Sequence, residues 1–290
     1  MPMSSNDRVR SVNSVAMTIF GGYYRLSAVP SGDDASLRKE IRQLLVRSGA
    51  ESCQEWSQGR LFAAWFDGGA YPDRGQWSGP ASFCIVAGDP IYTPSPKSRT
   101  EQVAALAAAG ERITRELAHC VGQFSLLFHD AQNDRLILAT DALGVRPLYY
   151  ARHGELLYFA TSLFLLEGLS GLPLTVSAEG LFQRISLGYN LDGKTPYREV
   201  RVLRQGEYLK ASPEGWGTGF YWRWDQIPPT ELDYPQRVRT TFELFRQAVE
   251  RRCWRSQDSI AMLSGGLDSR MVVGVLNQLG KRIVTINFTS

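Results

Sequence analysis

The stretch that most constrains this chain lies near its end: Ser259-Ile260-Ala261-Met262-Leu263-Ser264-Gly265-Gly266-Leu267-Asp268-Ser269-Arg270. An apolar run stops at two glycines. Helical spacing follows, with Met271, Val272, Val275, Leu276 and Leu279 on one face and Gly280 as the stop. A second β-branched run, Arg282 to Asn287, comes next. The order strand, tight glycine loop, helix, strand predicts a parallel βαβ unit. Two glycines let backbone N–H groups approach an anion with no Cβ in the way, and a helix N-terminus favours negative charge. Ser264 and Ser269 add hydroxyl donors. Asp268 is a poor partner for a phosphate unless a divalent cation lies between them, so the loop is read as a phosphate-chain site with Mg²⁺ at Asp268. The Gly-Lys-Ser/Thr of a Walker loop is absent, and so is G-x-G-x-x-G. The plainer alternative is a tight turn with Asp268 or Ser269 as the helix N-cap.

Length and composition narrow the class. A chain of 290 residues accommodates two domains. Hydrophobic residues at 43% and charged residues at 21% are globular values. Net charge is only +3, with acidic and basic residues intermingled, so no nucleic-acid footprint is expected. Cys53, Cys84, Cys120 and Cys253 lie far apart without a C-x-x-C pair and fit a reducing, cytoplasmic compartment. His119, His129 and His153 lack metal-ligand spacing. No apolar run reaches the roughly 18 residues of a membrane span. Residues 1–16 are polar, without the apolar region of a secretory signal, and are expected to be a disordered extension, with Met17 as an alternative start.

Along the chain, Thr18 to Leu26 reads as a strand. Ala35 to Arg47 reads as a helix capped by Asp33 or Asp34, with Leu37, Ile41, Leu44 and Leu45 on one face. Residues 49–60 carry no clear pattern. Strands are expected at Arg60–Phe66 and Ser82–Ala87, with turn chemistry at Asp67-Gly68-Gly69 and Pro72-Asp73-Arg74-Gly75. Pro90, Pro94 and Pro96 mark a loop. Ser98-Arg99-Thr100-Glu101 opens a helix as a capping box, and the helix is expected to run to Leu117. Gln123–His129 and Arg135–Thr140 form a hairpin around Asn133-Asp134, and Pro147–Tyr150 and Glu155–Ala160 form another around His153-Gly154. Ser177 caps a helix to about Leu187, and Glu199–Lys210 holds two short strands. Strands in this number and order predict an α+β sandwich. Pro228, Pro229 and Pro235 punctuate a linker, so a domain boundary is placed near residue 228. Val238, Phe242, Phe245, Val249 and Cys253 beyond it trace an amphipathic helix.

The glycine loop resembles the pyrophosphate-binding loop of N-type ATP pyrophosphatases, and with Leu263 before it resembles that of the asparagine synthetase family. Upstream motifs follow the family's order over residues 17–290. Gly122 to Asp130 resembles its Gly-x-Phe strand. Asp141 to Tyr150 resembles its Asp-x-x-Gly-x-x-Pro-Leu-Tyr-Tyr signature. Phe159 to Ser162, Lys194 to Leu209 and Tyr221-Trp222 resemble its later landmarks. The Asp141–Tyr150 block is read as structural, with Asp141 pairing with Arg146 while Leu148 and Tyr150 pack.

The resemblance implies an Ntn-hydrolase-like αββα sandwich, a class II amidotransferase-like domain over residues 17–227. It is followed over 228–290 by the first βαβ unit of a parallel-sheet ATP pyrophosphatase domain. It implies ATP and Mg²⁺ as cofactors. Leu263, Ser264, Gly265, Gly266, Leu267, Asp268 and Ser269 would bind ATP and pyrophosphate, Asp268 would hold the metal, and Leu263 and Ile286 would flank adenine. Arg270 stands where many members have serine, and two readings remain: a cation beside the phosphates, or a side chain facing solvent.

The family's glutaminase uses an N-terminal cysteine whose own α-amine is the base. Here Thr18 holds that position. The oxyanion-hole Asn-Gly-Glu corresponds to Ala87-Gly88-Asp89, and the Ser-Asp-x-Glu that holds the glutamine amino group corresponds to Ser98-Arg99-Thr100-Glu101. A buried cation there repels an ammonium, so no glutaminase activity is expected.

The implied reaction is ATP-dependent amide-bond formation. A small-molecule or peptide carboxylate is activated as an acyl-adenylate and attacked by an amine, as in lasso-peptide macrolactam synthetases or β-lactam synthetase. Asparagine synthesis from aspartate and a non-catalytic scaffold are the alternatives. The family's later catalytic residues would lie beyond Ser290, so a fragment, a truncated gene, or a chain completed by a partner protein is expected. Residues 236–290 are accordingly expected to be thinly packed, because a lone βαβ unit cannot cover both faces of a parallel sheet. A precursor peptide is a further candidate partner; neither nucleic acid nor membrane is.

Overall fold

The structure, a computed structural model, describes residues 17–27, 34–92 and 98–287. The expected extension at 1–16, and Asp33, Pro94 and Pro96, lie outside the described residues. The chain divides into two compact units, one ending at Trp224 and the other beginning at Asp225.

The first unit begins with β1 (Thr18–Arg25), α1 (Asp34–Arg47), β2 (Gln54–Gln58), β3 (Leu61–Asp67), β4 (Gln76–Ser78) and β5 (Ser82–Asp89). Then come α2 (Arg99–Ala108), α3 (Ile113–Glu116), β6 (Gln123–Asp130), β7 (Arg135–Thr140), β8 (Tyr149–His153) and β9 (Leu156–Ala160). It closes with α4 (Leu163–Glu167), α5 (Ala178–Leu187), β10 (Val200–Val202), β11 (Glu207–Ser212) and β12 (Gly215–Phe220). The strands form two six-stranded sheets, in the orders β10-β8-β9-β1-β3-β2 and β12-β11-β7-β6-β5-β4. Every pairing within them is antiparallel.

Alternation along β1 shows why the layers stack. Phe20 and Tyr24 point between the sheets, where they meet Phe83, Ile85, Leu127, Leu138 and Leu209. Ile19 and Tyr23 point the other way, onto Ile41, Leu44 and Leu45 of α1 and Leu165 of α4. On the far side, Cys84, Val86, Leu126 and Phe128 face Val103 and Leu106 of α2 and Ile113 of α3. The central strands thus present one face to the opposite sheet and one to a helix, giving four layers in the order α-β-β-α.

Several local expectations need correction. The helix from Ser98 does not run to Leu117: it ends at Ala108, turns through Gly110 at φ 55° and resumes as single turns, because a left-handed residue cannot continue an α-helix. Its capping box is formed, with Ser98 Oγ accepting from the Glu101 amide and Glu101 accepting from the Ser98 amide. Asp34 lies within α1 and pairs with Arg25. Strands β2, β4 and β12 and helix α4 arise where no element was expected. Asp141 makes no ion pair with Arg146. Its buried carboxylate instead accepts the amides of Phe124, Leu143, Val145 and Arg146 at 2.9–3.2 Å, which clamps the turn between β7 and β8. All four cysteines are free; burial pushes the Cys120 thiol up to about 12 and the Cys84 thiol further.

The second unit contains α6 (Tyr234–Cys253), β13 (Asp258–Met262), α7 (Leu267–Gln278) and β14 (Arg282–Ile286). Asp233 caps α6 in a box with Gln236, and Pro235 sits in its first turn. β13 and β14 pair in parallel around α7, the βαβ unit that the run from Ser259 to Asn287 predicts. Packing is thin. Helix α6 buries no residue fully, and Ile260, Met262 and Val284 are 74%, 64% and 63% exposed.

Candidate functional site

Two places carry the residues singled out from the sequence. In the first unit, Thr18 opens β1, pairs with Asp67 at the end of β3, and is almost wholly buried. The Arg99 side chain, fully buried, comes to it from the start of α2. Arg99 Nη2 donates to Thr18 Oγ1 at 3.1 Å and to Val86 O at 2.7 Å. Nε donates to Gly88 O at 2.7 Å. Nη1 donates to Asp73 O at 3.1 Å and faces Asp67 Oδ2 at 3.4 Å.

A guanidinium has five N–H donors, and each meets an acceptor here. The Tyr71 ring lies 4.6 Å from the guanidinium carbon. Gly75 lies so close that a Cβ there would sit 2.3 Å from Nη2. Burial lowers the Arg99 pKa, with Asp67 opposing the shift. Three of the segments that depart from the family pattern, at Thr18, Ala87-Gly88-Asp89 and Ser98-Arg99-Thr100-Glu101, therefore meet at one spot through Thr18, Gly88 and Arg99. Asp67, Tyr71, Asp73 and Gly75 complete it; the sequence marked that segment only as turns.

In the second unit the loop from Ser264 to Ser269 joins β13 to α7. The N-cap of α7 is Gly266, not Asp268 or Ser269, and the helix starts at Leu267 rather than near Met271. Ser264 and Ser269 cross-brace the loop. Their hydroxyls lie 2.9 Å apart, the Ser264 amide donates to Ser269 Oγ at 3.1 Å, and the Gly266 amide donates to Ser264 Oγ at 3.2 Å. Leu263 and Ile286 are neighbours at the ends of the two strands, with the Leu263 amide donating to Ile286 O at 2.9 Å. Ser264, Gly265, Gly266, Leu267 and Asp268 are all exposed.

The glycines of this loop differ from those of the first unit. Neither Gly265 nor Gly266 has a positive φ. A Cβ on Gly265 would meet nothing within 4 Å, and one on Gly266 only Ser264 Oγ at 3.4 Å. The protein itself does not require glycine at either position. What the missing side chains leave is an open cradle in front of the first amides of α7, which have no intrahelical acceptor. Asp268 stands in that first turn with no hydrogen-bond or ion-pair partner among the described residues. No cluster of three or more histidine, cysteine or carboxylate groups able to hold a metal exists among the described residues. A single free carboxylate fits Mg²⁺, which takes most of its ligands from water and substrate phosphates, and does not fit an all-protein metal cage.

The profile of the glutamine amidotransferase domain matches residues 92–222, and that of asparagine synthase matches residues 240–290. Among curated proteins, asparagine synthetase [glutamine-hydrolyzing] 3 of Bacillus subtilis is 26% identical over 161 residues, 54% of this chain and 26% of that one. The two profiles, in this order along one chain, are those of the asparagine synthetase family, which the chain resembles. A probable asparagine synthetase of Acanthamoeba polyphaga mimivirus is 24% identical over 164 residues, 54% of this chain and 28% of that one. Amidase chry2 of Gibberella zeae is 28% identical over 179 residues, 57% of this chain and 25% of that one. The chain spans about a quarter of the length of these relatives.

The amidotransferase match and the four-layer order make the first unit an Ntn-hydrolase-like sandwich. A solved glutamine phosphoribosylpyrophosphate amidotransferase from Bacillus subtilis superposes over 92% of this chain and 65% of its own, at 12% identity and a TM-score of 0.45, too remote to bear on function. No helix among the described residues is long and apolar enough to cross a membrane.

Proposed function

We propose that this chain serves ATP-dependent amide-bond formation, with the Ser264–Ser269 loop as its pyrophosphate site. The observation that carries the reading is the open cradle at Gly265 and Gly266, two glycines that neither backbone conformation nor packing demands. In this reading the amides of Leu267, Asp268 and Ser269 receive the β- and γ-phosphates of ATP. The Ser264–Ser269 brace holds the loop in shape before ATP arrives, so little reorganisation is needed as charge develops on the leaving pyrophosphate. Asp268 would hold Mg²⁺, and the metal would supply positive charge to offset that developing on the pyrophosphate. Leu263 and Ile286 offer apolar contact to adenine. The carboxylate becomes an acyl-adenylate, and an amine displaces AMP.

The nitrogen comes from free ammonia or from an amine of the substrate itself, as macrolactam formation requires, and not from glutamine. Arg99 supports this part of the reading: its cation occupies the place next to Thr18 where an α-ammonium would have to sit. Four free cysteines suit a reducing, cytoplasmic setting.

ATP–pyrophosphate exchange tests the reading. Aspartate is the first carboxylate to try, because two of the relatives above are named asparagine synthetases, followed by peptides with an acidic side chain. Exchange that depends on a carboxylate and is lost in Asp268→Asn is the expected result. A chain that binds neither ATP nor pyrophosphate would overturn it. Glutamate release from glutamine, abolished by Thr18→Ala, would sink the statement about nitrogen.

A further inference from the structure

A sheet margin exposes unpaired main-chain groups, and three of the four margins in the first unit are blunted. Strands β4 and β10 are only three residues long, and β2 carries Glu55, which pairs with Arg42. The margin at β12 is different. Its six residues, Gly215-Trp216-Gly217-Thr218-Gly219-Phe220, include no charge and no proline. Its register against β11 runs from Glu207 to Ser212 without a bulge.

The ladder fixes which groups are free. Tyr221 N donates to Gly206 O at 2.9 Å. Bonded pairs recur at every second residue of an antiparallel ladder, so Gly219, Gly217 and Gly215 turn their N–H and C=O toward β11. Those of Trp216, Thr218 and Phe220 turn outward and meet no partner among the described residues. The side chains of these three share one face of the strand, where Trp216 stands edge-on to Tyr150 at 6.1 Å. The other face is bare glycine. Gly215 takes φ 144° at the hairpin turn, and a Cβ on Gly219 would lie 2.7 Å from the Tyr208 hydroxyl. Gly217 has neither reason, since a Cβ there would meet nothing within 4 Å. Glycine of that kind inside a strand marks room for another backbone.

The strand complements itself. Two copies of β12 laid antiparallel about a two-fold axis at Thr218 set Thr218 opposite Thr218, with Trp216 opposite Phe220 on either side. Thr–Thr and aromatic pairs are both favourable across strands. Each outward N–H of one copy then meets an outward C=O of the other, and none is left over. On the second face Gly217 lies opposite Gly219, so no side chain holds the backbones apart. Charge follows the same register. Glu214 just before the strand and Arg223 just after it are exposed, and antiparallel pairing brings the acidic end of one strand beside the basic end of the other.

We infer that β12 is a self-docking edge through which a second copy of this chain joins its sheet to the first, giving a two-fold dimer. Pairing consumes the edge, so assembly closes at two. One strand pair is a small interface, and the dimer is accordingly weak, with a Kd of roughly 1–100 µM. The inference does not depend on the pyrophosphate reading of the second unit.

The test is sedimentation of the full chain over a concentration series, for wild type, Thr218→Pro, Thr218→Lys and Thr218→Glu, with thermal unfolding of each. Wild type should show a reversible monomer–dimer equilibrium. Thr218→Pro removes an outward N–H that the ladder with β11 does not use, a place where an edge strand tolerates proline. Two hydrogen bonds are lost per dimer, so its Kd should rise about a hundredfold while the unfolding midpoint holds. Thr218→Lys and Thr218→Glu set like charges face to face on the axis, so each should be monomeric alone, and an equal mixture of the two should dimerise. A wild-type chain that stays monomeric overturns the inference and leaves the edge to some other extended chain. A dimer undisturbed by Thr218→Lys overturns it too, and so does association that grows beyond two. Should Thr218→Pro unfold, the charge variants still decide: a mixture that remains monomeric contradicts the two-fold register and the inference with it.

Discussion

Two glycine-lined places in one chain have opposite chemistry. Around Thr18, a Cβ on Gly75 would come within 2.3 Å of Arg99 Nη2, and one on Gly88 within 2.1 Å of Gln123 O. Every N–H of the Arg99 guanidinium meets an acceptor of the protein. Around Ser264–Ser269, a Cβ would meet nothing at Gly265 and only Ser264 Oγ at Gly266, and the first helical amides have no intrahelical acceptor. Glycine by itself therefore says little. Beside Thr18 it is the mark of a closed structural centre, and at Gly265 and Gly266 it is the mark of room kept for a ligand. Hydrogen-bonding capacity that the protein does not use on itself is what separates the two.

The largest test of this contrast is Arg99→Ala. It leaves Asp67 and three backbone carbonyls around a buried hole, so the first unit should lose about 3–5 kcal/mol in urea unfolding. A loss below about 1 kcal/mol would mean that Arg99 is not a keystone. Gly75→Ala should follow, at about 1–3 kcal/mol, because the new Cβ displaces the guanidinium. Gly265→Ala should run the other way. With space for its Cβ and no left-handed backbone to oppose it, stability should hold or rise by about 0.4–1 kcal/mol, while magnesium pyrophosphate binding is lost. Destabilisation with binding kept would erase the distinction between the two sets of glycines.

A smaller effect concerns His129, fully buried in β6 between Trp56 and Asp134. Burial lowers its pKa, and the Asp134 carboxylate opposes the shift. The unfolded chain takes up the proton more readily, so this contribution is present in full above the ordinary histidine value of about 6.5 and fades as pH falls below it. Unfolding curves of His129→Gln should show a weaker pH dependence between roughly pH 6.5 and 5. An unchanged slope would contradict the assignment.

The sequence showed some of this plainly and some not at all, for physical reasons. Thr18 to Leu26 alternates in register with two apolar layers, so β1 was legible. Ser98 and Glu101 carry a capping box whose chemistry is local, and Asn133-Asp134 and Gly154 mark their hairpins in the same local way. The edge strands were hidden. Gln54–Gln58 and Gly215–Phe220 lie at the margins of their sheets, with most residues exposed, so neither has an apolar alternation to read.

The Arg99 centre was half legible. Its cation was visible beside Thr18 in the motif order, but Asp67, Tyr71 and Asp73 are brought to it only by the fold, from 26 or more residues away. The Asp141 contacts are not legible in the sequence because four backbone amides converge on its carboxylate only once the chain has folded, one of them from Phe124 on the neighbouring strand. At the loop, the residues were legible from Ser264 to Ser269, while the start of α7 at Leu267 was not, since Asp268, Ser269 and Arg270 are polar on every face.

The most direct test of the account is a titration of pyrophosphate into the full chain with and without Mg²⁺, for wild type and Asp268→Asn. Saturable binding that needs Mg²⁺ and is lost in Asp268→Asn, with unfolding curves unchanged, is the predicted result. Binding indifferent to both Mg²⁺ and Asp268 would contradict it.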